Sequence, residues 1–260
     1  MWPFKKKSLV KKPYPNFESV LCIPGHWTTD QQIKLSIVEA TNGEYIAAGG
    51  VMMNAKKERH FTFEVCQHDN RMKLSFGIAG RFTGVTKDFL DEIDQHNLVV
   101  YISAPSGNFL EAEQIAFAGE AILKAGGIGI KIETAGKAFQ KERWFSLASK
   151  FQESNLYEMF VIDSLGQLDG TVFSCGMQNL GLKDTIVSGL PFQQAVDVIN
   201  IFGYYQVVDK PVILPNQTFT PTRVPTRDSP RYRITEELNP PYQHEQLLGN
   251  PFGMWRLTKE

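Results

Sequence analysis

Hydrophobic and polar residues alternate along parts of this chain and recur at helical spacing along others, which predicts interspersed strands and helices. The clearest alternation runs over 59–68, where Phe61, Phe63 and Val65 share one side of a predicted strand. Further strands are predicted over 17–23, 44–54 (with a bulge or bend at its two glycines), 72–79 (paired with 59–68 as a hairpin), 98–104, 128–133, 157–165 and 171–177.

Two segments carry the clearest helical periodicity. From Ala112 to Leu123, apolar or small residues fall at i, i+3, i+4, i+7, i+10 and i+11, and the segment from Phe192 to Gly203 repeats that spacing. Each stripe covers one face of a helix, so both helices should pack against a sheet. Shorter helices are predicted over 28–40 (opened by a capping box at Thr28 and Gln31), 86–95 and 141–152.

Strands and helices are interspersed, but several strands come in adjacent pairs. This pattern favours an α+β fold, with a mixed or antiparallel sheet packed by amphipathic helices, over strict βαβ winding. The repeated helical spacing suggests two ferredoxin-like halves. Residues 1–14 are predicted as a flexible basic tail and 15–260 as a single α+β domain, with lobes at 15–135 and 155–260 as an alternative division.

The C-terminal part is rich in proline. Seven of the 14 prolines lie between Pro211 and Pro241, so this stretch should be extended and poor in strand hydrogen bonds. Because the apolar residues of 252–257 follow it, we expect a segment that wraps the protein and ends in a final strand. Trp144 and Trp255 are predicted as core residues rather than ligand-stacking ones.

Composition places the chain among ordinary globular proteins, with 42% hydrophobic and 21% charged residues. No apolar run approaches the roughly 20 residues that span a bilayer. Cys22, Cys66 and Cys175 are few, odd in number and far apart. This cysteine usage argues against a disulfide framework and favours a reducing cytoplasm.

The net charge of −1 conceals an asymmetry. Residues 1–12 hold five lysines and no acid, which leaves 22 basic and 28 acidic residues elsewhere, a balance of −6. That balance argues against nucleic-acid binding, which needs clustered positive charge. Membrane contact through the tail, with Trp2 and Phe4 beside its lysines, is the weaker alternative to a solvated terminus. Two predicted helices carry clustered acidic residues, namely Asp88, Asp91, Glu92, Asp94, Glu111, Glu113 and Glu120. Such acids usually form the solvated face of an amphipathic helix. The functional alternative is a docking surface for a protein partner with a basic surface.

No known catalytic motif is present. The glycine cluster at 126–129 follows a predicted helix and enters a strand, whereas a phosphate-binding loop runs from strand to helix. We therefore assign no catalytic, cofactor-binding or metal-ligating residue and expect no cofactor.

Two chemical alternatives stay open at this point. Cys175, at a strand end before Gly176, could act as a nucleophile if a histidine lay beside it. One face of the strand over 59–68 carries zinc-ligand types, of which Cys66 and His68 are the better pair; the full set is His60, Glu64, Cys66 and His68. The alternative function is therefore a small hydrolase using Cys175 or a metal near His68.

Four strings together resemble a known family. They are CIPGHW at 22–27, AGGIGIKIETAGKAF at 125–139 with Trp144, FSCGMQNLGLKD at 173–184 and NPFGMWRL at 250–257. With them the chain resembles the bacterial domain of unknown function 4261, over nearly its whole length after the lysine tail. The name of that family implies no particular activity, and its genes look like accessory or immunity-type genes. The resemblance, the acidic balance of residues 13–260 and the lack of catalytic spacing favour a non-enzymatic, protein-binding module of the bacterial cytoplasm, immunity-like or regulatory.

Overall fold

Two β-sheets with helices packed against them form this protein, as shown by a computed structural model that describes residues 17–222 and 224–260. The predicted α+β class is confirmed. The predicted tail, residues 1–14, lies outside the described residues. The helices are α1 (Asp30–Ala40), α2 (Met72–Gly80), α3 (Lys87–Asp94), α4 (Phe109–Lys124), α5 (Lys141–Ser149), α6 (Glu153–Phe160) and α7 (Phe192–Tyr204).

The first sheet has seven strands in the order β2-β3-β4-β5-β1-β6-β7, and all neighbours are antiparallel. Its strands are β1 (Glu18–Gly25), β2 (Tyr45–Ala48), β3 (Val51–Asn54), β4 (Arg59–Gln67), β5 (Leu98–Pro105), β6 (Gly129–Ile132) and β7 (Lys137–Gln140). The four neighbouring strands β4-β5-β1-β6 have the strand order of a ferredoxin-like split βαβ unit. Helix α1 lies between β1 and β4 in the chain, and α4 connects β5 to β6.

The second sheet has six strands in the order β11-β12-β13-β10-β9-β8, of which only β10 and β13 are parallel neighbours. Its strands are β8 (Ile162–Gly166), β9 (Val172–Cys175), β10 (Asp184–Val187), β11 (Thr218–Phe219), β12 (Tyr232–Glu236) and β13 (Met254–Lys259). This order differs from the ferredoxin-like one, so the predicted repeat describes the first half of the chain only.

Two main cores hold the layers together. The larger one lies between the first sheet and α1, α4, α5 and α6, with Trp144 fully buried at its centre. The second core lies under α7 and includes Phe202 and Trp255. The small α2 and α3 pack on the opposite face of the first sheet, against Cys22 and Val99. Trp144 and Trp255 are therefore core residues, as predicted.

Two of the strand predictions are wrong: one segment is a helix, and the other is two strands instead of one. The segment predicted as a strand over 72–79 is α2, because Met72, Phe76 and Ala79 are buried at helical spacing. The segment over 44–54 is a hairpin of β2 and β3 rather than one bulged strand. Gly49 and Gly50, at φ +56° and +83°, supply the left-handed backbone that a two-residue hairpin turn needs.

Smaller differences lie at element ends. The N-cap of α1 is Thr29, whose side chain accepts from the amide of Gln32, so the predicted cap is one residue early. The segment 157–160 belongs to α6 and not to the following strand. Phe192, predicted on the buried stripe of α7, is 53% exposed. The proline-rich stretch does wrap the second sheet, through β11 and β12, and ends in β13 as expected.

Candidate functional sites

Three of the four strings that carry the family resemblance meet in one buried polar network between the two sheets. The Oδ1 atom of Asn179 accepts hydrogen bonds from Ser19 Oγ at 2.6 Å and from Thr134 Oγ1 at 2.8 Å. The Nδ2 atom of Asn179 donates to the carbonyl of Gly176 at 2.9 Å. Because Ser19 precedes the centre of β1 and Thr134 follows β6, this one amide ties the second half of the chain to the first sheet.

Asp184 is the charged member of this network. Its Oδ1 accepts from Ser174 Oγ at 2.9 Å and from the amide of Met177 at 3.3 Å, and its Oδ2 accepts from Asn250 Nδ2 at 2.7 Å. Burial raises the pKa of Asp184 to about 7, against the opposing effect of these donors, which favour the carboxylate. A perturbed pKa often marks an active site. Here the residue is only 1% exposed, so no substrate reaches it and its role is structural.

Close backbone contacts explain the glycines of 173–184. At Gly176, with φ +118°, an added Cβ would lie 1.9 Å from the carbonyl oxygen of Phe160. At Gly181, with φ +73°, it would lie 1.9 Å from the carbonyl oxygen of Gly107. Both positions accept only glycine because another backbone passes against them. The Cys-Gly-Met string and the glycine that follows it therefore serve packing, because they let separate backbone segments lie in direct contact.

The string at 22–27 is structural in the same way. The Nε1 of Trp27 donates to the carbonyl of Ala125 at 2.8 Å, and its ring lies against Gly25 and Gly126. The glycine cluster after α4 thus holds an indole ring and leads into β6. The interpretation of these glycines as a helix end rather than a phosphate loop is confirmed.

Cys175 lacks the surroundings of a nucleophile. It is 2% exposed, and its Sγ contacts the carbonyl oxygen of Leu248 at 3.8 Å. Burial, and then the nearby carboxylate of Asp184, raise the pKa of the thiol well above its usual range. Since the thiolate is the nucleophilic form, the arrangement disfavours covalent catalysis there.

His68 is paired with another histidine. Its ring stacks on His96 with centroids 4.4 Å apart, and its Nδ1 lies 2.7 Å from the His96 carbonyl oxygen. The Nε2 atom of His96 is not free to bind a metal either, because it accepts a hydrogen bond from the amide of Asp69 at 3.1 Å. Among residues 17–222 and 224–260, no three His, Cys, Asp or Glu side chains come together as a metal site.

The acidic helices are less available to a partner than the sequence suggests. On α3, Asp91 and Asp94 both bind Lys73, at 2.8 and 3.2 Å. Two other acids of the predicted docking surface form ion pairs nearby, Glu111 with Arg59 and Glu120 with Lys124, and Glu92 lies 3.8 Å from the imidazole Nε2 of His26. Intramolecular pairing therefore reduces the charge that these helices offer.

A different surface is open. Helices α2 and α3 cover the outer face of the first sheet over β1, β5, β6 and β7 and reach Cys66 at the end of β4, whereas no described helix packs extensively on that face over β2 and β3. Ile46 and Val51 are each 42% exposed there, and half-buried Met53 lies opposite Ile46 across the strands. Glu18 and Glu64 lie on the same face and form no ion pair within the described residues. We call this set the open face. Alternation predicts the outward side of β4 but not the hairpin that extends it.

Comparison with protein-family models, with curated proteins and with solved structures finds no match to this chain. The resemblance to the domain of unknown function 4261 therefore stays a prediction. Within the part of the chain that the structure describes, no helix has the length and apolar composition needed to cross a bilayer.

Proposed function

We propose that this chain is a non-catalytic binding protein that docks a protein partner on the open face of its first sheet. The observation that carries the proposal is the exposure of Ile46 and Val51 on a sheet face that no described element covers. Apolar side chains that are contiguous across neighbouring strands mark interaction surfaces more often than scattered ones do. Met53 extends the apolar strip between them.

Charge defines the chemistry of this partner. Glu64 lies on β4, the strand next to β3, and Glu18 lies on β1 of the same face; the chain after residue 12 carries a balance of −6. A partner that presents lysine or arginine around an apolar centre would complement both features, and opposite charges would speed the encounter. An immunity-like or regulatory role, as expected from the sequence, is compatible with such docking.

The alternative, a hydrolase, has weaker support. A nucleophile at Cys175 would need access and a lowered thiol pKa, whereas burial raises that pKa. A metal near His68 would need further ligands beside a ring that already stacks on His96. Docking on the open face requires neither condition.

Capture from native lysate tests the proposal when paired variants are compared. Val51→Lys places a charge in the strip, and Leu168→Lys places the same charge on a fully exposed turn residue of the second sheet as a control. We expect at least one protein to be retained by the wild type and by Leu168→Lys but lost with Val51→Lys. That protein, once purified, should bind the wild type more weakly as salt rises.

Two outcomes contradict the proposal. If every captured protein is retained equally by both variants, the open face does not dock a partner. If the purified chain is a dimer that Val51→Lys dissociates, as measured by light scattering, the occupant is a second copy of the chain. Circular dichroism of each variant separates loss of binding from loss of folding.

A further inference from the structure

A second surface feature, a cleft at the junction of the two sheets, goes beyond protein docking. It has a volume of about 350 Å³, at the lower end of the 300–1,000 Å³ typical of small-molecule sites. One wall is Phe109, at the start of α4 in the first half of the chain. The other walls come from the second half and include Lys183, Gln206, Lys210 and Trp255.

Gln206 is the first observation that points to a ligand. The residue lines the cleft, is 3% exposed, and its Nε2 has no hydrogen-bond partner among the described residues. A buried amide without a partner destabilises a protein, so native structures seldom retain one without a reason. It lies in the π-helical turn Tyr205–Asp209 that continues α7, and such turns are frequent at functional sites.

Two ammonium groups are the second observation. The Nζ of Lys183 lies 4.1 Å from the ring centroid of Trp255, and the Nζ of Lys210 lies 4.6 Å from that of Phe109. Aromatic faces attract cations, so each ring holds one lysine at the cleft. Trp255 belongs to the second core and also lines this cleft, so its indole is held firmly.

Both lysines can exchange their present carboxylate partners for the anionic group of a ligand. Lys183 pairs with Glu236 and Lys210 with Glu153, and the two carboxylate side chains are 52% and 50% exposed. Exposed ion pairs contribute little to stability, and a better-placed anion can replace them. Lys210 itself has a left-handed backbone, φ +47°, which is uncommon for a residue other than glycine.

From this geometry we infer that the cleft binds a small aromatic anion. The flat apolar body of the ligand would pack against the parts of Phe109 and Trp255 that line the cleft, and its carboxylate or phosphate group would bind Lys183 and Lys210. Gln206 Nε2 is buried in the free protein, so a turn of this side chain toward the cleft would bring it to an acceptor of the ligand. An aromatic body is favoured over an aliphatic one because both walls present rings. The negative head group is favoured because both cations of the cleft lie on those rings.

Four probes test the inference with the full chain. They are 2-naphthoate, 2-naphthyl phosphate, the neutral 2-naphthamide and inorganic phosphate, each titrated by calorimetry and by tryptophan fluorescence. We expect saturable binding of at least one aromatic anion and much weaker binding of the amide and of inorganic phosphate. The stronger of the two aromatic anions identifies the head group. The inference would be overturned if neither aromatic anion bound up to millimolar concentration. It would also be overturned if inorganic phosphate bound with the same affinity as the aromatic anions.

Matched variants locate the binding. Lys183→Met and Lys210→Met keep the aliphatic part of each side chain and remove its charge. Each should lower the affinity for the aromatic anion by roughly tenfold, or about 1.4 kcal/mol. Lys56→Met, in the turn before β4, is the control and should bind as the wild type does. Wild-type affinity in both cleft variants would show that the anion binds elsewhere.

Gln206→Leu gives a readout that does not depend on the ligand. Because the replacement removes an amide without a described partner, the thermal midpoint of the unliganded protein should rise while the aromatic anion binds more weakly. A fall in the midpoint would show that the amide is structurally satisfied, which would overturn its assigned role.

Discussion

Asn250 donates a hydrogen bond from Nδ2 to the carboxylate of Asp184 at 2.7 Å, across 66 residues of the chain. The same amide group donates to the carbonyl of Leu182 at 3.0 Å, and its Oδ1 accepts from the amide of Phe252 at 2.8 Å. Asp184 begins β10, and β13 starts shortly after Asn250 as its parallel neighbour. One side chain therefore fixes the place where the proline-rich wrap rejoins the second sheet.

Ionisation of Asp184 should lower the stability of the protein as the pH rises from about 4 to about 7. The pKa of this carboxyl is raised from 3.8 to about 7 in the folded state. The folded state therefore binds its proton more tightly than the unfolded state, and the stability that this gives at low pH is lost as the pH rises through that window. A shift of this size corresponds to roughly 4 kcal/mol.

Asp184→Asn isolates this contribution because it removes the titrating group at nearly constant size. Urea unfolding of both proteins from pH 4 to pH 8 should show the variant gaining stability relative to the wild type as the pH rises. Other carboxyl groups affect both proteins alike. If the two stability curves stay parallel, Asp184 has an ordinary pKa and the assigned effect of burial is wrong.

Gly176→Ala should be strongly destabilising. The added Cβ would lie 1.9 Å from the carbonyl oxygen of Phe160, which is backbone and cannot rotate away. We expect a loss of more than about 3 kcal/mol. Gly170→Ala is the matched control, since Gly170 also has a positive φ, +81°, but no atom within 4 Å of the added Cβ. It should cost about 1–2 kcal/mol, the penalty of the left-handed backbone alone. Equal losses in chemical denaturation would show that the close contact relaxes freely.

Sequence pattern predicts the elements that bury one face and misses those that do not alternate. The stripe of α4 and the alternation of β4 are predicted correctly because in each the apolar positions of the pattern are more buried than the positions between them. Strand β10 escapes notice, since all four residues of Asp184–Val187 are buried and a carboxyl begins it. Helix α2 is mistaken for a strand because its outer face carries Leu74 and Ile78, which blur its helical period.

The candidate sites depend on contacts between distant segments, which a single sequence does not contain. Phe109 and Trp255 reach the same cleft across 146 residues, and no local pattern connects them. Gln206 reads as one polar residue after an amphipathic helix, and its missing hydrogen bond is visible only in three dimensions. Likewise, three of the strings of the family resemblance are far apart in the sequence and meet only in the folded protein, in the buried network around Asn179 and Asp184.

Trp144→Ala should cost about 3–5 kcal/mol of the free energy of unfolding. The indole is fully buried, packs edge-on against Phe139 and Phe160, and donates from Nε1 to the carbonyl of Ala116 at 3.2 Å. Leu74→Ala, at a position 69% exposed, should change stability by less than about 0.5 kcal/mol. Calorimetric midpoints that fall equally for both variants would contradict the assigned core.

The three thiols should react in an order set by access, with Cys66 first. Cys22 is fully buried and Cys175 is 2% exposed, and burial raises the pKa of both thiols. Cys66 is half-buried, so reagent can reach it, although burial and then the carboxylate of Glu64 raise its pKa as well. Labelling should therefore be slow at neutral pH and confined to Cys66 in the native protein.

Timed alkylation with iodoacetamide, resolved for each cysteine by mass spectrometry, measures this order. Glu64→Gln should speed the labelling of Cys66, because it removes a negative charge that disfavours the thiolate. Cys66→Ser should leave a native protein that labels only after urea unfolds it. Rapid native labelling of Cys175 would instead reveal an accessible thiolate. That result would favour the hydrolase alternative over the binding function, since burial around Cys175 is the main structural argument against a nucleophile there.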